Sequence, residues 1–210
     1  PRSTLFPYTT LFRSVAPDKA SLLSQPVEHF DMKHHDCVAL VEAMQHMAFS
    51  ARDLARAADI VDRMIREEDG VVILTLAGSM VSAGLKQVFV DMIENRMVDV
   101  VVSTGANIVD QDFFEALGFR HYMAPERYKA GMDDDALRDL MIDRIYDTFI
   151  DEEQLRICDD TTKQIADSLE PRPYSSREYI HAMGEYLRAN DGAKASSIVA
   201  AAHEIGRAHV

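Results

Sequence analysis

The stretch VVILTLAGSMVSAG, residues 71–84, and the later stretch MVDVVVSTGAN, residues 97–107, decide the fold. Each contains a short β-branched apolar run, Val71–Leu76 or Val98–Val102, that leads into small and hydroxyl residues and then into a helical pattern. The first run, Val71–Leu76, is too uniformly apolar to have one face in water, which is typical of a parallel strand buried on both faces. The order of strand, turn and helix, given twice, predicts a βαβα unit with a right-handed crossover.

The helices of this unit follow directly from the two turns. The pattern predicts one helix from Leu85 to Arg96 and another from Asp110 to Leu117. In sheets of this kind, ligands bind in a crevice at the carboxyl ends of the strands. The sequence therefore predicts an α/β fold with a Rossmann-like, doubly wound parallel sheet and helices on both faces, truncated at its C-terminal side.

Helical periodicity also precedes the first strand. Apolar residues recur at three-residue steps through Cys37–Phe49, which predicts a helix. Ser50 then stands three residues before Asp53, a spacing that resembles a capping box. This spacing predicts that a second helix begins there and ends near Glu67.

The pattern after residue 133 is predominantly helical. Asp151 is placed to cap one helix, Ser175 and Glu178 form a capping-box pattern before another, and a last helical piece begins near Ser196 after a turn at 190–194. A helix is also predicted further upstream, because five side chains form one apolar stripe: Leu137, Leu140, Met141, Ile145 and Tyr146.

Both ends of the chain read as foreign to the folding protein. Residues 1–14, PRSTLFPYTTLFRS, match the translation of a common sequencing adapter, and residues 205–210, IGRAHV, match that of the opposite adapter. Such segments are set aside before a fold is inferred. We expect residues 1–14 to be disordered, and residues 15–204 to be one authentic domain that is cut on both sides.

The composition indicates an acidic, globular protein. Hydrophobic residues make up 47% of the chain and charged residues 27%. Removing Arg2, Arg13 and Arg207 from the formal net charge of −13 leaves a value nearer −16. Such a surface repels nucleic acid and suits a cationic ligand such as a polyamine. We therefore expect no nucleic-acid partner.

Cysteine usage and apolar run length bear on location. Cys37 and Cys158 are too few for a disulfide framework, which favours a reducing compartment and hence the cytoplasm. No apolar run approaches the roughly 20 residues that a membrane-spanning helix needs. The sequence therefore predicts no membrane association.

The two turns after the strands are the candidate ligand site. At such a corner, backbone N–H groups and the positive end of the helix dipole face the crevice, which suits a pyrophosphate. The dinucleotide fingerprint G-x-G-x-x-G and the P-loop are both absent, so the alternative is that small residues merely let strand and helix pack closely. The residues that allow close approach or carry hydroxyl groups are Gly78, Ser79, Ser82, Gly84, Thr104 and Gly105.

A polar stretch near the start of the chain contains several metal-ligand residue types. The helical i, i+4 spacing and the CxxC pairs that mark strong metal sites are both absent from it. We interpret its histidines as surface residues and predict no metal site. The residues concerned are His29, Asp31, His34, His35 and Asp36.

With these stretches identified, the chain closely resembles the deoxyhypusine synthase family, particularly its bacterial and archaeal branch. The resemblance covers nearly all of Ser21–Leu187. It is carried by SLLSQPVEHFDM, FSARDLARAADIVDRMI, LTLAGSMVSAGL, MVDVVVSTGANIVDQDFFEALGFRHY, IDRIYDTFIDEEQL and IADSLEPRPYSSREYI.

The resemblance implies an NAD site at the two turns, in a Rossmann-like domain that assembles into tetramers. The family's acidic pair after the second turn is replaced here by Asp110 with Gln111, and Ser79 stands where many members have Asn. The residues that match the family's cofactor contacts are Gly78, Ser79, Met80, Val81, Ser82, Thr104, Gly105 and Ala106, with Asp110 beside them.

The resemblance also implies an activity, NAD-dependent transfer of an aminobutyl group from spermidine to an acceptor amine. The acceptor is either a lysine of a translation initiation factor or putrescine, which gives homospermidine. The covalent imine forms on a family lysine in the C-terminal half, and none of this chain's lysines lies in a matching motif. We therefore assign no catalytic residue and expect the piece alone to be inactive. The alternatives are a conventional NAD-dependent dehydrogenase and a non-catalytic nucleotide-binding module.

Overall fold

The computed structural model describes residues 18–125, 133–190 and 196–205. The expectations for residues 1–14, 191–194 and 206–210 lie outside these ranges. The described strands are β1 (Ile73–Leu76), β2 (Val100–Ser103), β3 (Tyr122–Met123), β4 (Ile142–Ile145) and β5 (Thr148–Asp151). The helices are α1 (Lys19–Leu22), α2 (Val38–Met44), α3 (Ser50–Arg66), α4 (Lys86–Glu94), α5 (Gly105–Asn107), α6 (Phe114–Ala116), α7 (Asp134–Asp139), α8 (Glu152–Ser168), α9 (Ser176–Ala189) and α10 (Ile198–Ile205).

A parallel strand pair forms the centre of the mixed α/β fold. β1 pairs with β2 so that Ile73 lies opposite Val100 and Leu76 opposite Ser103. The chain crosses between them through a π-helical turn at Val81–Leu85 and then α4. The predicted parallel arrangement is therefore confirmed for these two strands.

The predicted burial of both faces of β1 is wrong, and β2 is also exposed on one face. Leu76 and Val101 lie in the main core, but Ile73 is 56% exposed and Val102 is 50% exposed. Side chains of α4 and of the helical segment after β2 pack against one face of the pair. No described element covers the other face in the same way, so alternate side chains there meet solvent.

A β-hairpin replaces the helix that the apolar stripe predicted. The helix α7 ends at Asp139, Met141 adopts a left-handed φ of 55°, and β4 then pairs antiparallel with β5. β3 joins on the other edge of β5, giving a three-stranded sheet. The helix prediction is wrong here because the β-branched and aromatic residues of the stripe also suit strands. The small second core of this region contains Leu22, Ala124, Leu137, Ile142 and Phe149.

The capping predictions have mixed outcomes. The Asp151 carboxylate accepts hydrogen bonds from the Glu153 and Gln154 amides, which confirms the predicted start of α8. Ser175 and Glu178 form the predicted capping box of α9. Ser50 makes no cap, because α3 begins at Ser50 itself and no side-chain cap bond is present there. The residue that precedes α3 is Phe49, which has a left-handed φ of 55° and no side chain that can cap the helix.

The main core joins the parallel pair to the last helices. It is formed largely by α4, the helical segment 105–116, α8, α9 and α10. By contrast, α3 buries only Ala55, and it exposes Leu54, Ile60, Val61 and Met64. Among the described residues, no helix combines the length and apolar character that crossing a bilayer requires.

The lead-in segment before α2 packs over the end of the first turn. The Val27 amide donates to the His121 carbonyl and the Phe30 amide donates to the Gly84 carbonyl, both at 2.8 Å. Gly84 has a φ of 89°, and a Cβ built there would lie 2.8 Å from the Glu28 carbonyl oxygen. A side chain at position 84 would therefore displace the lead-in segment from the corner.

Candidate functional site

The two predicted turns meet at one edge of the parallel pair. The first corner comprises residues 77–82 after β1, and the second comprises residues 104–107 after β2. Asn107, which is fully buried, joins them. Its Nδ2 donates to the Gly78 carbonyl at 3.0 Å and to Thr104 Oγ1 at 3.2 Å. Neighbouring parallel strands thus bring Gly78 and Thr104 together, as predicted.

Several amides of the first corner already have side-chain acceptors. Asn107 Oδ1 accepts hydrogen bonds from the Met80 amide at 2.9 Å and from the Val81 amide at 3.5 Å. Gln111 Oε1 accepts from the Ser82 amide at 2.9 Å. The Val81 side chain is also buried in the main core. These three amides therefore face the protein and leave other groups of the corners to meet a ligand.

Four other amides of the two corners have no acceptor in the described part of the chain, and open volume lies beside two of them. Those of Gly78, Ser79, Gly105 and Ala106 have no acceptor among the residues that the structure describes. A Cβ built on Gly78 or Gly105 would meet no heavy atom within 4 Å. Unpaired N–H groups beside free volume are what a bound phosphate requires. The corners therefore fit a pyrophosphate group, through fewer amides than the sequence suggested.

Asp110 lies close to α8, where its carboxyl group interacts electrostatically with Asp159. Burial, and then the negative charge of Asp159, raise the pKa of Asp110. The same surroundings raise the pKa of the Cys158 thiol to about 12, chiefly through burial and then through Asp159 and Asp110. Cys158 is therefore a neutral thiol, and its Sγ donates to the Val109 carbonyl. No described hydrogen bond joins the Asp110 side chain to either corner.

A pocket of about 450 Å³ opens beside the first corner. Its lining contains the carboxylate of Asp147 and no lysine or arginine among the described residues. This pocket is not predicted from the sequence, because the apolar stripe predicts a helix across the β4–β5 turn that forms one wall. The lining residues are Val27, Ser79, Ser82, Ala83, Met123, Ile145, Tyr146, Asp147 and Thr148.

Behind the corners, Glu115 is the centre of a buried charged cluster. Its carboxylate binds Lys86 Nζ at 2.6 Å, His121 Nδ1 at 2.7 Å and His29 Nε2 at 2.5 Å. Burial alone would raise the pKa of Glu115, but the bonds from His121, His29 and Lys86 outweigh it and hold this pKa well below its usual range. The prediction that His29 is a surface residue is wrong, because its side chain is only 15% exposed.

A second buried carboxylate fixes the last helix beneath the second corner. Asp112 accepts bonds from Ser197 Oγ and from the amides of Ile198 and Val199, at 2.8, 2.8 and 2.9 Å. Burial is the largest influence and raises the pKa of Asp112. Asp112 thus caps α10 from 86 residues away along the chain. Its bonds hold the helical segment 105–116 against α10.

The described residues contain no group of three or more histidine, cysteine or acidic side chains that could hold a metal ion. The prediction of no metal site concerns residues 29–36, whose histidines make separate contacts in the structure. His34 pairs with Asp31, His29 contacts Glu115, and the His35 ring stacks on Phe30.

The fold and the corner geometry together define an α/β protein whose parallel strands end in two joined corners at one edge of the sheet. Comparison with known proteins gives the family. The family model described as "Deoxyhypusine synthase" matches residues 39–206. The chain belongs to the deoxyhypusine synthase family.

Curated relatives and a solved structure agree with this assignment. A "Deoxyhypusine synthase-like protein" of Chlorobaculum tepidum is 56% identical over 188 residues, covering 90% of this chain and 52% of the relative. A protein of the same description from Coxiella burnetii is 52% identical over 186 residues, covering 89% of this chain and 52% of that relative. The chain spans about half the length of these relatives.

The likeness to a solved structure concerns the fold. The crystal structure of a "putative deoxyhypusine synthase" from Entamoeba histolytica superposes with a TM-score of 0.52 at 17% identity. The match covers 87% of this chain and 61% of that chain. At this identity, the likeness supports the mixed α/β fold.

Proposed function

We propose that this chain forms the NAD-binding part of a deoxyhypusine-synthase-like aminobutyltransferase. The proposal is supported by the family and by one structural observation. Two corners at the same sheet edge present unpaired amides at Gly78, Ser79, Gly105 and Ala106 beside open space. In this proposal, β1 and β2 belong to a Rossmann-like, doubly wound sheet with helices on both faces.

The chain's own residues would hold the dinucleotide by its pyrophosphate. The open amides would donate to phosphate oxygens, and the Ser79 and Thr104 hydroxyls would supply further polar contacts. Met80, Val81 and Ser82 would shape the corner, since their amides are taken by Asn107 and Gln111. We assign Asp110 no contact with the pyrophosphate, because its side chain lies near Asp159 of α8. When bound, NAD supplies the hydride acceptor that oxidises the carbon beside an amine nitrogen.

The described lysines do not provide the nucleophile that imine formation needs. Each one is held in an ion pair with a carboxylate: Lys19 with Asp151 and Glu153, Lys33 with Asp91, Lys86 with Glu115 and Lys163 with Asp167. Ion pairing favours the charged ammonium, and a nucleophilic lysine must be neutral. We therefore propose that the attacking lysine comes from a part of the family's chain outside the described residues.

The proposed substrates are spermidine as donor and either a lysine of a translation initiation factor or putrescine as acceptor. The acidic composition suits a cationic polyamine. We further propose that the complete enzyme is a cytoplasmic homotetramer. Neither nucleic acid nor a membrane has a place in this proposal.

Binding and transfer are tested separately. Isothermal titration of the chain with NAD tests the cofactor site, and we expect saturable one-to-one binding. For transfer, the complete protein product of the gene that contains this sequence is incubated with NAD, labelled spermidine and either acceptor. Label in the protein lysine or in homospermidine supports the proposal and identifies the acceptor. Spermidine-dependent accumulation of free NADH without labelled product would instead favour a conventional dehydrogenase.

A further inference from the structure

We propose that Asn107 is a positioning residue for the dinucleotide: it aims the Ser79 amide at the ligand and fixes the spacing of the two corners. This inference rests on the proposed NAD site. Asn107 is 0% exposed and uses both ends of its side-chain amide. Its oxygen faces the Met80 and Val81 amides, and its nitrogen faces the Gly78 carbonyl and Thr104 Oγ1. No other amide side chain bonds to both corners in the described part of the chain.

The orientation of the Ser79 amide follows from peptide geometry. The described chain contains no cis peptide bond, and in a trans peptide the C=O and N–H groups point in opposite directions. The Gly78 carbonyl is held toward Asn107 Nδ2 at 3.0 Å. The Ser79 N–H, which belongs to the same peptide unit, therefore points away from Asn107 and toward the open side of the corner. Gly78 reaches this arrangement with a φ of 70°.

The neutral amide of Asn107 is what this arrangement requires. An aspartate at position 107 could still accept from the Met80 and Val81 amides. Its ionised carboxylate could not donate to the Gly78 carbonyl, so two oxygen atoms would face each other there. The Gly78–Ser79 peptide unit would lose its anchor, and a negative charge would lie close to the pyrophosphate. A protonated carboxyl group could donate again and restore the contact.

Gln111 provides a matched control on the same helical segment. It is also buried, and its Oε1 binds the Ser82 amide at 2.9 Å. It makes no bond to Gly78 or to the second corner. Gln111→Glu therefore adds the same buried charge one helical turn away and keeps an acceptor for the Ser82 amide, while the Gly78–Ser79 peptide unit is unchanged.

The test compares NAD affinity and thermal stability of the wild type, Asn107→Asp and Gln111→Glu between pH 8 and pH 5. We expect Asn107→Asp to weaken binding about ten- to a hundredfold at pH 8, the range for losing one hydrogen bond to a charged group. Affinity should recover toward pH 5, because burial raises the pKa of a carboxyl group. Gln111→Glu should weaken binding less than about threefold at pH 8, well short of the loss of one such bond.

Each other outcome counts against the inference. Equal losses in both variants would show a general effect of buried charge. A loss in Asn107→Asp that does not recover at low pH would show that neither the charge nor the bond donated to the Gly78 carbonyl explains the loss. Wild-type affinity in Asn107→Asp would show that the bond from Asn107 to the Gly78 carbonyl is not needed for binding. If Asn107→Asp does not fold, Asn107→Ala is used, and we expect a loss of NAD affinity of similar size that does not depend on pH. If Asn107→Ala also fails to fold, Asn107 has a structural role only and the inference fails. Absence of NAD binding by the wild type would instead refute the proposed function itself.

Discussion

Removing the charge of Glu115 should destabilise the protein severely. Glu115 is 8% exposed, and the side chains of its partners Lys86 and His121 are 9% and 0% exposed. Glu115→Gln keeps the size and one acceptor oxygen but leaves the buried Lys86 ammonium without the carboxylate that pairs with it. Breaking a buried pair by removing one partner costs about 3–5 kcal/mol. We expect a loss near the lower limit, ~3 kcal/mol, because glutamine retains part of the hydrogen bonding.

The assay is urea unfolding at pH 7, followed by circular dichroism, with an exposed pair as control. Asp167→Asn breaks the exposed contact between Lys163 and Asp167 and should cost about 0.5 kcal/mol or less. The double variant Glu115→Gln, Lys86→Met removes both charges and should recover part of the loss, since the unpaired ammonium is gone. Similar small losses in the Glu115 and Asp167 variants would refute the view that the cluster is an essential buried ion network.

The pH dependence of stability tests the role of Glu115 independently. Because the folded-state pKa of Glu115 lies below its unfolded value of about 4.3, its contribution is fully present above that value and is lost as pH falls through the folded value. Wild-type stability should therefore drop below about pH 5 more steeply than that of Glu115→Gln. Parallel stability curves for the two proteins between pH 6 and pH 3 would contradict the assignment.

Three further predictions concern the helices and the thiols. Gly184→Ala should lower the free energy of unfolding by about 1–3 kcal/mol, because its Cβ would lie 2.4 Å from His203 Cβ and push α9 away from α10. An unchanged thermal midpoint would refute this packing. One thiol, the exposed Cys37, should react with a disulfide reagent in the folded state, and the buried Cys158 only after unfolding; two fast thiols would contradict the burial. The exposed apolar side chains of α3 should make the protein self-associate, and sedimentation should show this association rising with concentration and weakening in Val61→Glu. Equal association of both proteins would show that this surface is not the contact.

The parts of the fold that sequence predicted are those that neighbouring residues determine. The carboxylate of Asp151 and the Ser175–Glu178 pair form their caps within three residues, so local spacing was sufficient. The β-branched runs ending at Leu76 and near Val102 predicted two parallel strands. Their exposed face could not be predicted, because burial depends on which other elements pack against the sheet.

The features that sequence missed depend on contacts between distant residues. The β4–β5 hairpin pairs with β3 across the segment that contains α7, and its residues also fit a helical stripe. His29 meets Glu115 across 86 residues, so it looked like a surface residue. In the site, the glycines and hydroxyl residues indicated two corners, but nothing local indicated that Asn107 reaches back 29 residues to Gly78. The signal that could have found it is an asparagine directly after the small residues Gly105 and Ala106, within the first turn of the helical segment.

The most direct test of the NAD cradle is to titrate the isotope-labelled chain with NAD and to follow its backbone amides by NMR. We predict saturable shifts at Gly78, Ser79, Gly105 and Ala106, whose amides are open, and smaller shifts at Met80 and Val81, whose amides Asn107 already binds. Binding that leaves the four open amides unperturbed, or shifts confined to another surface, would contradict the account.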